Sequence, residues 1–489
     1  MSDRSRTLAV FAACAVAAAS APSASAAPAD SAQAEAAAAG RPCDADCARI
    51  ERLAAALRIP TVSPQRPEDF DPAPFLAFHR YLEATYPQAH RVLEREVVAD
   101  YSLLYTWRGS DPALAPVLLT AHIDVVPIVE SSRERWEHPP FAGDVADGFV
   151  WGRGALDDKG SLISIFEAVE ALASSGFVPR RGVLLAFGHD EELGGEAGAA
   201  AITALLAKRG VRAWFSLDEG MAILQGIGGI ERPVAVVGIA EKGFLTIEVT
   251  ARAPGGHSSL PPRETAIGRL ARAIVALEDN PMPAHLDGVA GDMLRALAPS
   301  LSGVRAFALR NLWLTGPLVE RDLAASPPTN ALLRTTTAVT MVRGGVKSNV
   351  LPSSATATVN FRVHPADRVD GIVERVGELL ADLDVDVRIV DAREASDVAD
   401  TGSDSFALLR DTVATVYPGV PTVPGLVLGG TDTRHYGEVA ENGYRFAPFR
   451  MPAEDAARIH GIGERIAVDA YLAMPPFYEQ LLRKSTGAP

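Results

Sequence analysis

Three short, mostly apolar runs end on side chains that bind metals or carry protons, and this pattern restricts the fold more than any other in the chain. VLLTA (117–121) runs into His122, GVLLAFG (182–188) into Glu191 and Glu192, and AWFSL (213–217) into Asp218. Continuous apolar runs of this kind are what strands buried on both faces look like. Helical stretches at 161–174 and 197–208 separate them. Strand, helix, strand predicts an α/β catalytic domain with a doubly wound, mainly parallel sheet. Sites on such sheets lie at the carboxyl ends of neighbouring strands. Any one of these acids alone reads as a turn or cap residue, but the repeated placement argues against that.

The pattern changes after Glu241-Lys242-Gly243. FLTIEVTARA (244–253) alternates apolar and polar residues, as an antiparallel strand with one solvated face should. A helix over 266–278 follows, then an irregular stretch rich in Pro, Leu and Arg up to Pro328. Alternating strands at 335–342 and 355–363, a helix at 369–383 and a strand at 385–390 close the unit. Strand, helix, strand, strand, helix, strand is a ferredoxin-like α+β unit. The expected division is a catalytic domain built from two stretches, 41–240 and 396–489, with an insert at 241–395 between them. A helix over 475–483 ends the second stretch. At 489 residues the chain exceeds what one core accommodates, so two domains are the default.

The first residues read as a targeting segment, with Arg4 and Arg6, an apolar run at 8–19 and an Ala24-Ser25-Ala26 cleavage site. That run is too short for a permanent bilayer span, and no later stretch reaches about 18 residues without charges. Removal of 1–26 leaves a loose Ala-rich leader at 27–40 and an exported, periplasmic or secreted protein. Lipoprotein anchoring at Cys14 is disfavoured by Phe11, three places before it. Cys43 and Cys47 remain as a pair in an oxidising compartment. With no further sulfur or histidine nearby, a local disulfide is the preferred reading over a metal site. The net charge of −15 argues against nucleic acid as a partner, which needs a basic face.

Five clusters carry the chemistry: AHIDVVP (121–127), GRGALDDKG (152–160), GHDEELGG (188–195), SLDEG (216–220) and RIHGIGER (458–465). Together they supply His122, Asp157, Glu192, Asp218 and His460, enough nitrogen and hard oxygen for two zinc ions sharing one carboxylate. In the pair His122-x-Asp124 both side chains of a strand can point one way, His to a metal and Asp to the far imidazole nitrogen. Asp157, on a tight turn before a helix, suits the shared ligand, with Asp158 left to cap the helix or support the ligand. Glu191 and Glu192 repel each other unless a cation is present. With Glu192 as ligand, Glu191 is left to take a proton from activated water. Three ligand carboxylates against two divalent cations leave one positive charge, which a hydroxide neutralises. Each cluster also has an ordinary structural reading; jointly those readings fail.

These motifs, with GGHSS (255–259), resemble those of the dinuclear zinc peptidase family M20. TNALLRTTTAVT (329–340), VKSNVLP (346–352), TVNFRVHP (358–365) and GGTDTRHY (429–436) most resemble its carboxypeptidase S and N-fatty-acyl-amino acid synthase/hydrolase branch. The likeness runs from Cys47 to Lys484. It implies one zinc on His122, Asp157 and Asp218 and another on Asp157, Glu192 and His460, with Co²⁺ or Mn²⁺ as substitutes. It also implies that Asp124 orients His122 and that Glu191 is the general base. The insert becomes a lid and dimerisation domain whose His257 reaches a partner's site in a homodimer to stabilise the oxyanion. Arg362 resembles the residue that takes a substrate carboxylate, and Asn349, Gly429, Gly430 and Thr431 resemble its companions. Arg434 and His435 receive no role. His79, His90, His138, His285 and His364 belong to no motif and read as structural or exposed.

The expected activity is zinc-dependent hydrolysis of the amide bond in a small peptide or N-acyl amino acid with a free C-terminal carboxylate. An aminopeptidase or dipeptidase is the nearest rival, but no acidic group for a free amine is evident. A non-catalytic zinc- or peptide-binding protein has no need of Glu191.

Overall fold

The computed structural model describes residues 44–227 and 230–487. The segments 1–26 and 27–40, together with Cys43, lie outside them. Cys47 is disulfide-bonded. The described chain divides into a smaller unit, 240–398 with 425–430, and a larger one made of the remaining residues.

The larger unit begins with β1 (Leu93–Val98), β2 (Ser102–Trp107), β3 (Val117–His122), β4 (Asp144–Ala146), β5 (Phe149–Trp151), β6 (Val183–Gly188), β7 (Phe215–Asp218), β8 (Ile223–Gln225) and β9 (Val234–Glu241). The smaller unit holds β10 (Gly243–Arg252), β11 (Gly256–His257), β12 (Thr336–Arg343), β13 (Val350–Leu351), β14 (Ser354–Val363) and β15 (Val385–Arg393). The chain returns through β16 (Thr422–Val427) to β17 (Gly443–Arg445), β18 (Arg450–Pro452) and β19 (Arg465–Ala467).

The main sheet runs β1-β2-β6-β3-β7-β17-β9-β8-β18, with β16 paired to β9. Its centre, β6-β3-β7-β17, is parallel. β1 and β2 flank it antiparallel on one side, and β9 does so on the other. Every residue of β3, β6 and β7 is buried, which is why their sequences lack alternation. Adjacent strand residues serve opposite faces. Leu104 and Leu184 pack with Ile202 and Leu206 of the helix Ala199–Lys208. Tyr105 instead meets Phe166 of the helix Lys159–Ser174, with ring centroids 5.4 Å apart. The sheet is therefore wound on both faces. Each large apolar side chain so buried contributes roughly 1.5–3 kcal/mol. β3 lies between β6 and β7, so successive connections leave to opposite sides and open a crevice at its carboxyl end.

In the smaller unit β12-β14-β10-β15 form an antiparallel sheet. With the helices Ala266–Asp279 and Val369–Leu380, this is the ferredoxin-like order read from the sequence. Leu245, Ile247 and Val249 of β10 and Val359 and Phe361 of β14 face those helices through Leu270, Leu277, Ile372 and Val376. The stretch expected to be irregular is helical instead, with Val289–Leu297, Gly303–Arg310, Leu312–Leu323 and Pro327–Leu333. Of its prolines, Pro327 and Pro328 stand in the first turn of Pro327–Leu333, where no N–H is needed, and Pro317 lies inside Leu312–Leu323. Buried Gly316, Val319 and Leu323 supply one packing face for that helix. Proline content alone therefore hid four short helices.

Candidate metal centre

His122 is the last residue of β3, Asp218 the last of β7, and Glu191 and Glu192 open the single turn that follows β6. Because β3 pairs with both β6 and β7, the three strand ends converge. Asp157 reaches the same point from the loop after β5, and His460 from the loop before β19. His122 Nε2 lies 2.7 Å from Asp157 Oδ1, and His460 Nε2 lies 2.9 Å from Asp157 Oδ2. His460 Nε2 is also 3.1 Å from Glu192 Oε2. Asp157 thus offers one carboxylate oxygen to each histidine, the geometry of a shared ligand. Ligand atoms of His122, Asp157 and Glu192 all lie within 4.8 Å of one another.

The supporting contacts are equally specific. His122 Nδ1 is 3.0 Å from the backbone oxygen of Asp124 and 3.3 Å from its carboxylate. That carboxylate also accepts the backbone N–H groups of Glu191 at 3.1 Å and Glu192 at 3.2 Å, and the Ser63 hydroxyl at 2.6 Å. Asp124 therefore holds the histidine and the glutamate turn in one register. Asp218 Oδ2 accepts the Thr433 hydroxyl at 2.8 Å. Glu464 accepts the N–H groups of Gly154, Leu156 and Asp157 through Oε1 and pairs with Arg153 at 2.6 Å. Arg153 in turn donates to the carbonyls of His460 and Gly461, both at 3.1 Å.

The electrostatics call for cations. Burial opposes ionisation of Asp157, but hydrogen bonds from His122 and His460 outweigh it and hold the carboxyl well below its usual range. Hydrogen bonds to Asp157 and Glu192 push the His460 imidazole up to about 10. Burial drives Glu191 well above the carboxylate range; His122 opposes this, while Asp432, Asp157 and Glu192 add to it. The carboxylates thus favour positive charge beside them. Buried Glu192 Oε1 has no hydrogen-bond partner among the described residues. Two imidazoles, three carboxylates and an orphaned buried oxygen fit a pair of zinc-type ions.

Some residues escaped the sequence reading. Asp432 is buried, with both oxygens unpartnered among the described residues, and Glu219 is pushed well above its usual range by burial and by Asp157, Asp158, Glu191 and Asp218. Asp432 stands in GGTDTRHY and Glu219 in SLDEG, but nothing in their spacing separates them from ordinary loop acids. Asp158 occupies the N-cap position of Lys159–Ser174 without making a capping bond, and both its oxygens are buried. The capping alternative for Asp158 is therefore corrected: its side chain is enclosed and does not reach the helix amides.

The remaining expected site residues fall elsewhere. His257 is exposed on β11, opposite Val350, with Nδ1 accepting the Ser259 hydroxyl at 2.8 Å. The Asn349 carbonyl accepts the Ser258 N–H at 3.1 Å, so these two loops are joined. Arg362 projects from β14 on the solvated side, and Gly429 and Gly430 are exposed. All five belong to the smaller unit, whereas Thr431 is buried in the larger one. The metal-centre residues His122, Asp124, Asp157, Glu191, Glu192, Asp218 and His460 all belong to the larger unit.

Residues 118–484 match the model of Peptidase family M20/M25/M40. The chain is 42% identical over 441 residues to the N-fatty-acyl-amino acid synthase/hydrolase PM20D1 of Xenopus tropicalis, covering 89% of this chain and 85% of that one. It is 41% identical over 441 residues to a probable carboxypeptidase S-like 2 of Dictyostelium discoideum, covering 89% of this chain and 84% of that one. Among solved structures, the M20 family metallo-carboxypeptidase Sso-CP2 of Sulfolobus solfataricus superposes with a TM-score of 0.63 at 17% identity. That match spans 89% of this chain and 98% of the other, a likeness of fold.

Proposed function

The chain belongs to peptidase family M20/M25/M40 and is a metallohydrolase, and from that premise we propose that it cleaves the amide bond of small peptides or N-acyl amino acids bearing a free carboxylate. The observation that carries this reading is the split of one carboxylate, Asp157, between His122 and His460, with Glu191 and Glu192 beside it. His122, Asp157 and Asp218 would hold one zinc, and Asp157, Glu192 and His460 the other. When bound, two such ions activate water near neutral pH and polarise the scissile carbonyl.

The protein's own groups do the rest. Asp124 fixes the His122 ring and, through the Glu191 and Glu192 amides, the turn that carries the base. Glu191, held in a buried setting that raises its proton affinity, takes a proton from water and delivers it to the leaving amine. His257 stabilises the developing oxyanion. The Arg362 guanidinium offers a fork suited to a substrate carboxylate, with Asn349, Gly429, Gly430 and Thr431 as companions.

The relatives' names favour a carboxylate-bearing substrate over a free amine. The smaller unit serves as lid and dimerisation domain, and the N-terminal segment directs export. No helix among the described residues is long and apolar enough to cross a membrane. A panel of N-acyl amino acids, C-terminally free dipeptides and their C-terminal amides tests the reading by following released amino acid. Free-acid substrates should be cleaved and the amides spared. Faster cleavage of substrates requiring a free amine overturns it.

A further inference from the structure

The residues after Thr431 make contacts that the proposed mechanism does not use. Thr433 donates its hydroxyl to Asp218 Oδ2 at 2.8 Å, and both side chains are buried. The next residue turns to a different element: Arg434 Nη2 donates to the Gly194 carbonyl at 2.5 Å, and His435 Nε2 stands 2.9 Å from the same oxygen. Gly194 closes the turn Glu191–Leu193, its N–H donating to Glu191 O at 2.8 Å. The Asp432 carboxylate packs against both ends of that loop. A Cβ at Gly188 or Gly195 would lie 2.6 Å and 2.1 Å from its oxygens, so a larger residue at either position would displace the Asp432 carboxylate.

We propose that the segment 432–435 is a positioning clamp in which neighbouring residues set the ligands of different metal ions, Thr433 fixing Asp218 and Arg434 with His435 fixing the turn that carries Glu192. The clamp rests on the ligand assignment given above. Its physical basis is pre-organisation. A carboxylate at a strand end rotates freely about its terminal torsion, and a hydrogen bond to one oxygen fixes its plane before the ion arrives. Glu192 has no such bond from the segment; its backbone is fixed instead, through the carbonyl two residues on.

The test is calorimetric titration of the metal-free, full-length protein with Zn²⁺, resolving the two binding steps. Asp218→Asn and Glu192→Gln first identify which step belongs to which ligand. Thr433→Val, which removes the hydroxyl and keeps the shape, should weaken the Asp218 step by about 10–100-fold and leave the Glu192 step unchanged. Thr433→Ser should restore it. The double variant Arg434→Ala/His435→Ala should do the reverse, weakening only the Glu192 step; if it does not fold, Arg434→Lys takes its place. Equal weakening of both steps by either variant, or no rescue by serine, overturns the clamp and leaves the segment a general support. If Asp218→Asn alters neither step, the ligand assignment itself falls, a result distinct from failure of the clamp.

Discussion

Glu191 and Glu192 are adjacent and chemically alike, yet their surroundings differ. Glu192 points an oxygen at His460, 3.1 Å away, beside the other ligand proposed for the same ion. Glu191 is enclosed, and burial makes its neutral form unusually favourable, which suits a group that must hold a proton between two transfers. Glu191→Gln should therefore leave metal content near that of the native protein while lowering turnover by a factor on the order of 10² to 10⁴. Atomic absorption together with steady-state kinetics checks both halves. Loss of metal with turnover retained would mean that the two glutamates exchange roles. Asp157 is the opposite case. One of its oxygens lies within 3 Å of each histidine, so Asp157→Ala should lower occupancy of both sites together, which a metal count per chain reads directly.

At the scale of elements, loops far apart in sequence are tied by buried charge. Arg153, after β5, and Glu464, before β19, form an ion pair whose members are 3% and 0% exposed. Glu464 also gathers three amides of the Asp157 loop. Removing one partner strands the other in a dry setting, so Glu464→Ala should cost about 3–5 kcal/mol in urea unfolding of the metal-free protein. A second element carries a pH dependence. Buried His364, just past the end of β14, accepts the Ala366 N–H at Nδ1 and stacks on His285. Burial, with His285 and Lys242, lowers its pKa to about 4, while Asp367 opposes them. The unfolded chain, with an ordinary value of about 6.5, binds that proton more readily. Stability should thus be full above about pH 6.5 and decline as pH falls towards about 4, by up to roughly 3 kcal/mol. Comparison of wild type with His364→Gln across that window isolates the contribution; parallel curves would refute it.

At the scale of the molecule, the proposed dimer has a direct test. His257 belongs to the smaller unit and Glu191 to the larger. If His257 completes the site of a partner subunit, co-expressing inactive His257→Ala with inactive Glu191→Gln yields mixed dimers with one native site each. Statistical assembly makes about half the dimers mixed, so recovery should approach about a quarter of native activity. Confirmed mixed dimers without activity would restrict His257 to its own chain.

Hydrophobic pattern alone determined most of the architecture. Unbroken apolar runs marked β3, β6 and β7 as buried on both faces, and alternation marked β10 and β14 as half-solvated. Each is a local consequence of where side chains must go, so it survives in one dimension. His122, Glu192 and Asp218 stood out as candidates for the same reason, since they follow the ends of those runs. Four helices between 289 and 333 were not, because prolines masked short stretches whose helicity depends on packing. Nor was the division of the Asp157 oxygens, the enclosure of Asp158 and Asp432, or the reach of Glu464 to amides more than 300 positions away. Those are facts of direction and distance between loops, and only the folded chain brings such loops together.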